Sequence, residues 1–120
     1  MLTFDLNCWI FNEDHTSVFP IEVDRTKTIG NLKNAIKVDQ HIAFQHVDPR
    51  NLDIWMVSIL IDPSLKQNFD KLGLQNEPPL LPGAKLSKVF SDEPKDEHVH
   101  IVVRPPPPCT YVRVAYLLYY

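Results

Sequence analysis

Three glycines and two cysteines in 120 residues deny several chemistries their raw material. No glycine-rich loop is present to cradle a phosphate. Cys8 and Cys109 lie almost a chain length apart, one inside an apolar alternation and the other behind a proline run. That placement argues against a disulfide framework and leaves the redox compartment open. No stretch approaches the roughly 20 apolar residues of a membrane span, and no Asn-x-Ser/Thr acceptor occurs. The N-terminus, "MLTFDLNCWIFNEDH", has no basic leader, no uninterrupted apolar run and no small-residue cleavage site, so it does not read as a conventional secretory signal. An excess of one charge is missing too. Fifteen acids against 12 bases are spread without a long block of either sign, giving a net charge of −3 and no electrostatic case for nucleic acid or an anionic membrane.

What is present suffices for one core, since 44% of the residues are hydrophobic and the length suits one domain. Leu2, Phe4, Leu6, Cys8 and Ile10 alternate with polar residues and Trp9, predicting a half-buried strand over 2–10. After a polar turn, Phe19, Ile21 and Val23 alternate again, and Pro20 places this second strand of the hairpin at a sheet edge. Ile29, Leu32, Ala35 and Ile36 share one helical face behind Thr28, a good N-cap, predicting an amphipathic helix over 29–38. Gly30 weakens that helix by roughly 1 kcal/mol relative to alanine.

The run "LDIWMVSILI" at 52–61 is rich in β-branched and aromatic residues and reads as a strand with Leu52, Ile54 and Met56 inward and Trp55 on the opposite side. "DPSLKQNFDKLG" suits a short helix with Leu65, Phe69 and Leu72 inward, and "LSKVF" a turn of helix or a short strand. "DEHVHIVVR" predicts a last strand with Val99, Ile101 and Val103 on one face and His98, His100 and Val102 on the other, stopped by prolines 105–108. Hairpin, helix, strand, irregular segment, strand is an α+β order. It suits a ubiquitin-like β-grasp roll, a mixed sheet with one main amphipathic helix packed across it and the last strand beside the first.

Catalytic candidates are few. Cys8 reads as a small buried hydrophobe and Cys109 as an exposed free thiol with no activating neighbour. His98 and His100, two apart on a strand, could start a zinc site only if His41 or His46 converged on them by folding, and the expectation is no metal and no cofactor. The acids of "SDEPKDEH" read as a solvated loop. No paired-carboxylate spacing is present, so an enzyme is not expected. A conjugated modifier is not expected either, because stiff polyproline and a tyrosine-ended tail stand where a slim double-glycine tail is needed.

Parts of the chain are similar to known proteins. "IEVDRTKTIGNLKNAI" and "HVHIVVR" resemble ubiquitin's second strand plus helix and its last strand. "VFPIEVDRTKTIGNLKNAIKVDQHIAF", with Phe19, Pro20, the "LKNAIK" helix and Phe44, more closely resembles the N-terminal domain of Crinkler effectors, proteins of oomycetes and some fungi that act inside host cells. Leu52, Ile54, Trp55, Met56 and Val57 match the apolar positions of that family's translocation motif. Ser58 stands where the oomycete motif has lysine, and "IWMVSI" is closer to the fungal version. "HVHIVVRPPP" resembles the closing strand and proline run of the same domain, so the resemblance covers roughly residues 2–107.

The resemblance implies a non-enzymatic, ubiquitin-like Crinkler N-terminal domain over 1–104 and a proline-rich linker with a short hydrophobic tail over 105–120, without the C-terminal effector domain. It implies delivery into host cells and on to the nucleus, and the N-terminal residues add the expectation of an export route that uses no conventional signal peptide. The alternative is a cytoplasmic ubiquitin-like adaptor. Partners would be host or own-cell proteins, with no nucleic acid and no membrane span. Trp9, pointing away from Leu6 and Cys8, is either exposed, forming a protein-binding surface with Trp55, or covered by the tail or by the irregular segment 62–90. The tail "YVRVAYLL" alternates loosely and could add to a sheet edge.

Overall fold

A computed structural model describes residues 2–106, the side chain of Gln75 apart. The expected properties of Cys109 and of the tail lie outside the described residues. Among the described residues four strands form one sheet in the order β2-β1-β4-β3: β1 Thr3–Ile10, β2 Phe19–Asp24, β3 Asp53–Leu60 and β4 His98–Arg104. β1 pairs antiparallel with β2 and parallel with β4, and β3 closes antiparallel on β4. With α1 (Ile29–Asp39) across one face, this is the ubiquitin-like roll. Pro20, opposite Asn7, lies on the β2 edge. Tight turns repeat one device: the carboxylates of Asp14 and Asp24 each accept from the amide and hydroxyl of the threonine two residues on.

Capping starts α1 at the expected residue. The Thr28 hydroxyl accepts from the Asn31 amide, and the Asn31 side chain accepts from the Thr28 amide. Gly30 has a use that the periodicity did not reveal, since its amide donates to the Pro82 carbonyl at 2.9 Å. A Cβ there would stand 3.3 Å from that oxygen, so glycine permits the close approach of segment 82–86. "LSKVF" resolves as helix, α3 (Leu86–Val89).

The sheet has a core on each face. The first, under α1, joins Phe4, Leu6, Cys8 and Ile10 of β1 to Ile29, Leu32 and Ile36 of α1 and to Leu52, Ile54, Ile101 and Val103. The second joins Trp9, Trp55, Val99 and Val102 to Leu65 and Phe69 of α2 (Leu65–Asp70) and to Leu74.

Two orientations differ from the alternation. Val99 packs in the second core, not beside Ile101 and Val103. The pairing of β3 with β4 slips by one residue between Met56 and Ile59, and a one-residue slip turns side chains to the other face. Regular pairing of β1 with β4 starts only at Cys8–Ile101. Below it the Asn7 side-chain amide donates to the His98 carbonyl and the Asn7 backbone amide to His100 Nδ1.

Met56, expected inward, is 49% exposed although Ile54, on the same face, is fully buried. Met56, Ser58 and Leu60 are exposed in succession, whereas Val57 and Ile59 are partly covered against the second core. The cover on the helix side ends between Ile54 and Met56.

Candidate functional site

The stretch singled out for signalling, Leu52 to Val57, lies at the start of the edge strand β3 and divides by environment. Leu52 and Ile54 are fully buried in the first core. Trp55 is 4% exposed in the second, and its indole N–H donates to the Glu77 carbonyl at 3.0 Å. The Arg104 guanidinium lies 4.8 Å from the centre of the Trp55 ring while its Nη2 donates to Asp53 Oδ2 at 3.0 Å, so one arginine both stacks and pairs across β3 and β4. Met56 faces solvent and Val57 is half-buried.

Trp9 and Trp55 therefore form no exposed binding surface, which corrects that expectation. Trp9 is 4% exposed, stacked on Phe69 with ring centroids 3.8 Å apart and planes within 7°. Its indole N–H donates to the Asp14 carbonyl. Segment 62–90 supplies this cover through α2, one of the alternatives the alternation left open. Leu65 and Phe69 were legible as the inward side of that helix, but nothing in their spacing said which face of the sheet they would meet.

The titratable candidates have structural partners. His100 is buried, and because the Asn7 amide is a donor, Nδ1 must accept and Nε2–H donates to the Lys95 carbonyl at 2.7 Å. His98 Nδ1 contacts the Asp96 carbonyl. Among the described residues no three histidine, cysteine or acidic side chains gather as a metal-binding group. Burial pushes the Cys8 thiol far up, leaving it a protonated core residue. In the acidic loop, Glu93 pairs with Arg25.

Residues 4–104 match the Crinkler effector protein N-terminal domain. The chain belongs to the Crinkler family. Crinkler effector protein 1 of Rhizophagus irregularis is 33% identical over 105 residues, which are 88% of this chain and 22% of that protein. The chain thus spans about a fifth of that Crinkler relative. A solved Arabidopsis thaliana protein, determined by combining evolutionary couplings with sparse NMR data, superimposes with a TM-score of 0.54 at 14% identity over 90% of this chain and 92% of its own, a likeness of fold alone. No helix among the described residues is long and apolar enough to cross a membrane. In this Crinkler domain the residues at the motif position are chiefly scaffold, with Met56 and Ser58 their exposed part.

Proposed function

We propose that this chain is a non-enzymatic delivery module of a Crinkler effector that acts inside host cells. Its membership of the Crinkler N-terminal domain family over residues 4–104 carries the reading. The name of the Rhizophagus relative, an effector protein, supports it.

Burial refines what the signal could be. Leu52, Ile54 and Trp55 serve as address only through the folded strand they build, and a receptor that reads side chains directly meets Met56, Val57 and Ser58. A fluorescent fusion followed during host contact tests the reading. Signal in the host cytoplasm or nucleus is expected, and retention in the producing cell replaces delivery with the adaptor reading. Trp55→Ala cannot separate signal from scaffold, because the ring is packed and hydrogen-bonded. Met56→Ala can.

A further inference from the structure

The two outer strands leave the sheet with unlike edges. β2 carries Pro20, Glu22 and Asp24, residues that discourage another strand from pairing. From Ile54 to its end at Leu60, β3 has neither proline nor charge. The Ile54 carbonyl points outward to the Leu80 amide at 2.8 Å, and the Ile61 amide points inward to the Glu97 carbonyl at 2.7 Å. By alternation the backbone groups of Met56, Ser58 and Leu60 face outward. Among the described residues no backbone group bonds to them there. Beside this open edge lies a groove of about 340 Å³ whose walls include Met56, Ser58, Phe90, Asp92 and Lys95.

Charge selects the occupant. Among the described residues the groove is lined by Asp92, by Glu93, which Arg25 pairs, and by Lys95, and Asp62 and Glu97 stand beside Ile61, so acids prevail along this edge. A second copy pairing about Ser58 would set Met56 opposite Leu60, bringing the Asp92 region of each copy toward Asp62 and Glu97 of the other. Like charges oppose that pairing. They favour a basic segment.

We propose that the outer edge of β3, from Met56 to Leu60, takes an extended segment of a partner protein as a fifth strand, one alternating apolar with lysine or arginine side chains. Main-chain bonds to Met56, Ser58 and Leu60 hold the segment. Its apolar side chains cover Met56 and Leu60, and its cations meet Asp62, Asp92 and Glu97. This surface is independent of the delivery reading, since it would serve an effector and an adaptor alike.

The test is titration of the 120-residue chain with a capped octapeptide of alternating valine and arginine, followed by amide NMR and hydrogen exchange. Saturable binding that slows exchange at Met56, Ser58 and Leu60 and weakens in high salt is expected. A valine–glutamate octapeptide, a valine–arginine octapeptide N-methylated along the pairing edge and a Ser58→Pro chain should each bind about tenfold or more weakly, as loss of a charge-assisted or main-chain contact implies. Should Ser58→Pro fail to fold, the N-methylated peptide decides. Absence of saturable binding, equal binding of the N-methylated or glutamate peptide, protection at β2, or self-association that protects the same β3 amides would overturn the proposal.

Discussion

The two faces of the sheet are closed by different means. The helix-side face is covered by α1, eleven residues with a two-way cap and three fully buried side chains, Ile29, Leu32 and Ile36. The opposite face is covered by α2, six residues without a side-chain cap, and by Leu74. There one flat stack of Trp9 on Phe69 takes the place that a row of helix side chains fills on the other side. The first cover is periodic and would hold its shape along its length, whereas the second is short and can open without the sheet coming apart. Local opening on the Trp9 side is therefore expected at lower free energy than global unfolding.

Cutting into each core separates the two. Ile54 is fully buried beneath the periodic cover, and Ile54→Ala should cost ~2–5 kcal/mol, read from the urea midpoint. Against the roughly 5–15 kcal/mol that holds a typical domain together, that is a large fraction of the stability, and it empties the folded state only where the parent lies at the low end of that range. Phe69→Ala removes a larger side chain yet should cost only about 2 kcal/mol, because α2 can detach and leave the sheet intact. In that variant α2 amides should exchange well before those of β1 and β4. Equal acceleration across both faces would show the two cores to be one cooperative unit.

The same contrast explains what could be read in advance. Thr28, the Ile29–Ile36 spacing and the β1 alternation are local patterns, and they placed the helix and the first core. Pro20 placed β2 at an edge because a missing N–H is a property of one residue. The second core depended on which face of the sheet the segment after Ile61 returns to, which no local period encodes. Val99 depended on a register slip between two strands, a relation that belongs to neither strand alone. Met56 had the pattern of a core residue and lacked only a cover. The candidate site was thus legible as a strand and misread as to which of its side chains solvent meets.

At the boundary of the first core, Met56 gives a smaller effect with more to say about function. At 49% exposure, Met56→Ala should change stability by no more than ~0.5 kcal/mol. If the fusion carrying it melts like the parent but no longer reaches host cells, recognition lies on the exposed part of β3. If delivery survives Met56→Ala and fails for Ile54→Ala, the fold itself is what the route requires.

The weakest handle is acid. Thr16 and Thr26 hydrogen bonds hold the carboxyls of Asp14 and Asp24 below their usual value, and hydrogen bonds from the Arg50 side chain and amide hold Asp48 at about 2 against 3.8. A carboxyl with a lowered folded-state pKa favours the fold above its unfolded value and loses that contribution as pH falls through the folded one. Melting temperature should therefore decline as pH drops from about 4 toward about 2, and less steeply in Asp48→Ala, with the two proteins converging at the acid end. Salt and solvent screen all three groups, so the shifts should be slight. They are nonetheless informative about the two faces. Asp48 caps the turn at Pro49–Asn51, on the side where Leu52 begins the first core, whereas the Asp14 turn offers its carbonyl to Trp9 in the second. If acid loosens the Trp9 side first, indole fluorescence should change before the far-ultraviolet signal of the sheet does, and in Asp14→Ala that early change should already be present at neutral pH.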